Sequence, residues 1–371
     1  MKTRAAILRQ QPAAWEVVEL DLDEPKANEV LVRMVASGLC HSDEHVAKAD
    51  VPYGCFPLCG GHEGAGVVMG CGPGVTTLAP GDHIVTSFIP GCGRCLWCAS
   101  GKQNLCDNGA LMMGGTQLDG TFRMHLNGQD VGQNSFIGTF SQYTVMPEHA
   151  GIRIPKHIPL ASAALLGCGV PTGWGSAVNA AQTQPGDVVI VMGVGGIGIN
   201  AVQGAKHAGA TRIIAVDPVE FKRESAQMFG ATDVVASIGE AGELARSITN
   251  GQGAASVILT VGLLAEDHIG AAFEAIRKDG TMVITAVANI GTVNMPISPF
   301  MAAMYQKRIQ GALFGMMSPS RDVPRLLDMY EAGQLKLDEL ITRTYRLDEI
   351  NQGYDDMYAG KNLRGLILHE H

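Results

Sequence analysis

Asp187-Val188-Val189-Ile190-Val191-Met192 runs directly into Gly193-Val194-Gly195-Gly196-Ile197-Gly198. The first six residues read as a short, almost wholly apolar strand, the kind that is buried on both faces of a parallel sheet. The next six match G-x-G-x-x-G. In a chain with 47 glycines that spacing is weak alone, and its context is what strengthens it. Residues 200–208 carry a helical pattern, and Asp217 closes the next apolar run, residues 212–217. In this arrangement Gly193 permits the tight turn and Gly195 lets the backbone approach a pyrophosphate. Gly198 lets the helix close on the strand, and Gly196 completes the loop. The helix N-terminus offers free N–H groups and the positive end of its dipole to phosphates. Asp217 would accept hydrogen bonds from an adenosine ribose and repel a 2′-phosphate, so NAD is expected over NADP. The competing reading is a glycine-rich strand-to-helix turn with no ligand.

Downstream, strand candidates at 233–236, 256–261, 281–287 and 309–314 alternate with helical spacers. Alternation of this kind predicts βαβ units and an α/β domain with a parallel sheet. Upstream the texture differs. Short apolar runs at 30–35, 66–69, 84–86 and 143–145 are separated by Gly, Pro, Asn and Asp, which predicts an irregular, antiparallel, barrel-like β-rich domain. After about Gly315 the alternation stops, and the tail is expected to return to the first domain. The expected division is therefore 1–169 with 315–371, and 170–314.

Composition bounds the function. The 371 residues are 46% hydrophobic and 17% charged, which excludes a disordered chain. Twenty-seven basic residues against 36 acidic ones give −9, which argues against a nucleic-acid partner. Residues 158–186 carry no Asp, Glu, Lys or Arg, but Pro159, Pro171 and Pro185 interrupt them, so no membrane-spanning helix is expected. The first eight residues are too short and too polar for a signal segment, and a cytoplasmic location with reduced thiols is expected.

There are nine cysteines, four of them between 92 and 106. An odd, clustered set points to metal rather than to disulfides. Cys92, Cys95, Cys98 and Cys106 form C-x2-C-x2-C-x7-C, enough to close a tetrahedral structural zinc site in a lobe near 91–107. An iron–sulfur run would have a final gap of three followed by Pro; here Asp107 follows Cys106, so zinc is favoured. Cys55, Cys59 and Cys71 fall at no ligand spacing and read as packing residues. Cys40, His62 and Cys168 could together supply two thiolates and an imidazole with an open fourth position, the pattern of a catalytic zinc. Spacing alone leaves the packed-core reading of each one open.

Taken together, Gly61-His62-Glu63-Gly64-Ala65-Gly66, the four-cysteine lobe, Gly167-Cys168-Gly169-Val170-Pro171-Thr172-Gly173 and the glycine loop resemble the zinc-dependent alcohol dehydrogenases of the medium-chain dehydrogenase/reductase superfamily. The resemblance covers nearly the whole chain. Residues 88–92, 199–204, 216–223 and 333–340 make it most similar to the nicotinoprotein, dimethylnitrosoaniline-dependent alcohol dehydrogenases of actinobacteria. The resemblance implies a GroES-like β-rich catalytic domain, a Rossmann domain with a doubly wound parallel sheet, and an active cleft between them. It also implies two zinc ions per chain, NAD, an alcohol or aldehyde substrate and a homo-oligomer, dimer or tetramer.

Residue roles follow from the same resemblance. Cys40, His62 and Cys168 match the catalytic zinc ligands, and Cys92, Cys95, Cys98 and Cys106 the structural ones. Asp43 matches the carboxylate that orients the ligand histidine, and Glu63 an acid that can approach the metal. Ser42 matches the hydroxyl that bonds the substrate oxygen, and His45 the outer end of a proton relay. Asp217 and Lys222 match adenosine-ribose contacts, and His41 and Arg364 pyrophosphate contacts. Phe88 and Phe140 match the substrate channel. A thiol-adduct formaldehyde dehydrogenase using mycothiol or glutathione is the runner-up, although no basic pocket for such a carrier is evident. A non-catalytic NAD-binding protein on the same fold and a zinc-ribbon nucleic-acid module are the alternatives from other classes.

Overall fold

The computed structural model describes residues 1–371. The chain divides into two units, residues 1–168 with 318–333 and 337–371, and residues 169–317 with 334–336. The junctions thus fall at 168/169 and 317/318 rather than at 169/170 and 314/315. Packing explains the shift. Residues 313–316 lie against the helix Gly169–Gly175, so closely that a Cβ on Gly315 would come 2.3 Å from the Pro171 carbonyl. Residues 334–336 join the second unit because the Gln203 side chain bonds both the N–H and the carbonyl of Lys336.

In the second unit six parallel strands lie in the order Asp233–Val235, Arg212–Val216, Val188–Met192, Ala254–Leu259, Ile276–Ile284, Arg308–Gly311. All five residues of Val188–Met192 are buried, which is why that strand reads as an unbroken apolar run. The strand order reverses between Val188–Met192 and Ala254–Leu259. A doubly wound sheet binds dinucleotides at the carboxyl ends of the strands flanking such a reversal. Helix Gly198–His207 begins there.

The first unit contains a closed five-strand barrel, Lys2–Leu8, Glu16–Leu22, Met124–Leu126, Gln129–Gln133 and Leu58–Cys59. Beside it lies a larger sheet built around Glu29–Gly38, which pairs antiparallel with Gly64–Cys71, Tyr143–Pro147 and the C-terminal strand Arg364–Leu368. That last pairing brings the tail back to the first unit. No helix is long and apolar enough to cross a membrane.

Candidate metal centres and dinucleotide loop

Three backbone features of the first unit converge on one point. The strand Glu29–Gly38 delivers Cys40, whose extended backbone starts helix His41–Ala47. The turn after Leu58–Cys59 delivers His62, with Gly61 at φ 86°, where any Cβ would also meet Thr139 Oγ1 at 2.4 Å. The 3-10 turn Leu165–Gly167 delivers Cys168. The ligand atoms of Cys40, His62 and Cys168 lie within 4.8 Å of one another, and all three side chains are buried.

The surroundings fit a divalent cation. Asp43 is fully buried on the first turn of the helix, and its Oδ2 lies 2.9 Å from His62 Nδ1. That contact assigns the N–H to Nδ1 and leaves the Nε2 lone pair for a metal. Hydrogen bonding with Cys168 pulls the Cys40 thiol well below its usual range and pushes Cys168 up. Burial opposes charge on His62, yet Asp43 and Cys40 outweigh it and shift the ring upward, the same negative field that favours a cation at Nε2. Two thiol sulfurs and an imidazole in such a field are a borderline-soft donor set suited to zinc, with room for a fourth ligand from outside the chain.

Around this trio the other expected residues are placed as follows. Ser42 Oγ lies 3.7 Å from Cys40 Sγ. His45 is buried, its Nδ1 2.9 Å from Asp50 Oδ2. His41 is half-buried, edge-on to Tyr358. Glu63 is fully buried and ion-paired with Arg364, itself 4% exposed, so the two expected contacts of separate ligands are held together in one pair. Phe88 stands edge-on to His62 at 5.6 Å. Phe140 departs from the expectation of a channel wall. Its exposure is 0%, and its ring meets Trp15 edge-on at 5.4 Å within an apolar cluster that includes Ala6, Leu8 and Tyr354. It also fills the space over Gly60 and Gly61, so it is a core residue beneath the His62 turn.

In the lobe, Cys92, Cys95, Cys98 and Cys106 form the second group with ligand atoms within 4.8 Å. Backbone amides point at the sulfurs: Cys95 N to Cys92 Sγ, Cys98 N to Cys95 Sγ and Cys92 N to Cys106 Sγ, each 3.4 Å. Amides of Asp107 and Cys98 bring the Cys95 thiol down to about 6, while burial pushes Cys98 up to about 12. Four sulfurs, several of them already bonded by N–H groups that favour thiolate, close a site with no outside position. All nine cysteines are free thiols, and Cys55, Cys59 and Cys71 belong to neither group.

In the second unit Gly193 has φ 90°, and a Cβ there would come 2.7 Å from Val261 N. One on Gly198 would come 1.9 Å from the Gly193 carbonyl, whereas one on Gly195 would meet nothing within 4 Å. The first and last glycines serve packing, and the open side of Gly195 leaves the backbone free for close approach by a ligand. Gly196 is half-buried, and its carbonyl accepts from Asn200 Nδ2. Thr260 Oγ1, not singled out by the sequence, ties the loop by donating to the Gly193 carbonyl at 2.7 Å. Asp217 is 5% exposed; its Oδ2 accepts from Val194 N (3.1 Å) and its Oδ1 from Val219 N (2.9 Å). Each oxygen keeps one lone-pair site for a ribose hydroxyl. Lys222 is half-buried on helix Glu220–Phe229, and the neighbouring Arg223 clamps the Asp217 and Pro218 carbonyls. Asp217→Gly is expected to weaken NAD roughly tenfold or more while raising the ratio of NADP to NAD affinity. Titration of both nucleotides checks this; a wild-type preference for NADP would contradict the role given to the acid.

Residues 26–156 match the alcohol dehydrogenase GroES-like domain family, and residues 196–332 the zinc-binding dehydrogenase family. The chain is 49% identical over 370 residues to an NDMA-dependent alcohol dehydrogenase of Amycolatopsis methanolica, covering 100% of this chain and 99% of that protein. It is 47% identical to a protein of Mycobacterium tuberculosis (strain ATCC 25618 / H37Rv) named putative alcohol dehydrogenase D, with 100% of both chains covered. Among solved structures, benzyl alcohol dehydrogenase from Acinetobacter calcoaceticus superposes with a TM-score of 0.92 at 29% identity, over 100% of both chains.

Proposed function

Because the chain belongs to the zinc-dependent alcohol dehydrogenases of the medium-chain dehydrogenase/reductase superfamily, and so interconverts alcohols and aldehydes with zinc and NAD, we propose that it keeps its NAD bound and has it reoxidised in place by a second substrate. The observation that carries this is the 49% identity, over the full chain, to a dehydrogenase whose name states dependence on NDMA, a nitrosoaniline electron acceptor. The thiol-adduct and non-catalytic alternatives are not favoured.

In this reading Cys40, His62 and Cys168 hold the catalytic zinc, and Cys92, Cys95, Cys98 and Cys106 the structural one. The glycine loop and Asp217 hold NAD, with Lys222, His41 and Arg364 as further contacts. When bound, the zinc supplies a Lewis acid for the alcohol oxygen and the nicotinamide supplies a hydride acceptor. The protein's own work is positioning and proton handling. Asp43 fixes the His62 ring. Ser42, on the helix that starts beside Cys40, takes the alcohol's proton through its hydroxyl. His45 receives a proton at Nε2, because its Nδ1 faces Asp50 and the tautomer is thereby set. Phe88 stands edge-on against His62 and presents an apolar face to the substrate. The assembly is a homo-oligomer and the compartment the cytoplasm, in keeping with the family and with nine free thiols.

Two outcomes test this. Desalted protein should oxidise alcohol slowly with added NAD and rapidly with a nitrosoaniline dye, giving ping-pong kinetics, because a retained coenzyme makes coenzyme exchange the slow step. Full turnover with added NAD and no dependence on dye would overturn the retention. His45→Gln should slow the alcohol half-reaction by about 10²-fold at pH 6 and by less at pH 9, where solvent base can take the proton. An equal effect at both pH values would remove His45 from the proton path.

A further inference from the structure

The histidine of the metal trio is held by more than Asp43. The Asp43 carboxylate has no access to solvent, and three groups face it. His62 Nδ1 lies 2.9 Å from Oδ2, while Gly61 N and Asn134 Nδ2 donate to Oδ1 at 2.9 and 2.7 Å. Since a carboxylate only accepts, the Asn134 amide must present its NH2 to Asp43 and its carbonyl oxygen the other way. That oxygen accepts from Ser135 Oγ at 2.8 Å and stands 3.0 Å from the Tyr53 hydroxyl. The Tyr53 hydroxyl accepts in turn from Ser135 N at 3.0 Å, and its single proton is shared between the Asn134 oxygen and the Met112 carbonyl, 2.6 Å away. Asn134 is 5% exposed, and the backbone holds Ser135 and Phe136 at φ 52° and 67°, a turn that directs the amide inward. Met112 lies just beyond Cys106, the last cysteine of the lobe.

We propose that Asn134, backed by Tyr53, is a positioning residue for the catalytic zinc: it fixes the Asp43 carboxylate, which fixes the His62 ring, and through Met112 it ties that ligand to the segment leaving the structural lobe. The inference rests on the zinc-site reading above. Gly61 N is the other donor to Asp43 Oδ1, but it moves with His62, one residue away. Asn134 is the donor that anchors the carboxylate to a separate part of the fold. Without it Asp43 can rotate, and the imidazole it aims loses its fixed direction. Partners in this outer position commonly change metal affinity by about 10–100-fold.

The test uses the full chain with both zinc ions. Asn134→Leu keeps the volume and removes the donor; Tyr53→Phe keeps the ring and removes the hydroxyl. Under competition with a chelator, Asn134→Leu should surrender one zinc per chain about tenfold or more readily than wild type and keep the other. Tyr53→Phe should move in the same direction by a smaller factor. Cobalt(II) placed at the catalytic site should show an altered visible spectrum in both, a change that loss of stability alone does not produce. If Asn134→Leu does not fold, Tyr53→Phe decides. Wild-type chelator resistance together with a wild-type cobalt spectrum overturns the proposal. Cys40→Ser separates the two levels. If that variant retains both zinc ions, the zinc-site reading fails and the inference with it. If it retains one, the outcome at Asn134 speaks for positioning alone.

Discussion

Cys40→Ser protein is expected to hold one zinc per chain instead of two and to turn over alcohol at least about 10³-fold more slowly, with its folded state retained. A serine hydroxyl is a harder and less acidic donor than a thiol, and Cys40 is the sulfur most disposed to be a thiolate, held so by its hydrogen bond with Cys168. Two remaining donors cannot hold the metal against solvent and buffer. The Lewis acid so lost is worth several kcal/mol of barrier, and each ~1.4 kcal/mol is a factor of ten in rate. The fold survives because the trio joins parts already packed by the sheet around Glu29–Gly38. Metal analysis and a thermal melt read both halves of the prediction. A variant with two zinc ions and reduced activity would remove Cys40 from the ligand set.

Cys95→Ser should do the opposite. It is expected to lose the other zinc, leave the catalytic one in place and lower stability by several kcal/mol, because a structural site contributes its binding energy to folding. The four-cysteine lobe has little else to hold it. Helix Leu96–Ala99 buries no residue, and Leu96 and Trp97 are exposed. When the metal leaves, four half-organised sulfurs and their N–H donors remain without a common centre. The lobe then pulls on Gln103, which bonds Ser318 Oγ through its N–H and Ser320 Oγ through Oε1, and so loosens the start of helix Pro319–Glu331. Denaturant melts with zinc counts at each stage give the test; unchanged stability with one zinc missing would show the site to be dispensable for the fold.

The parallel sheet was legible because both of its faces are covered, so Val188–Met192, Arg212–Val216 and Ala254–Leu259 appear as plain apolar runs. Ile276–Ile284 begins earlier than the apolar run suggests, since Arg277, Lys278 and Asp279 point outward from its first half. Most of the barrel left no signal. Leu58–Cys59 and Met124–Leu126 are two and three residues long, too short for any period to show, and Gln129–Gln133 is largely polar. The cysteine cluster of the lobe was readable because Cys92, Cys95, Cys98 and Cys106 are close in sequence. The clustering of Cys40, His62 and Cys168, far apart in sequence, could be expected only with the family in view. Asn134, Tyr53, Asp50 and Thr260 act through contacts made by tertiary folding, and nothing local marks them. Phe140 shows the limit of carrying a role across by position: an aromatic near the expected place proved to be core.

In the proposed function, alcohol oxidation uses a nicotinamide coenzyme resident in the protein. Its most direct measurement is to desalt the purified chain exhaustively, unfold it gently, and identify and count the nucleotide released. Close to one NAD or NADH per chain is expected, with no NADP. Protein that releases no nucleotide, yet turns over fully when NAD is added, would contradict it.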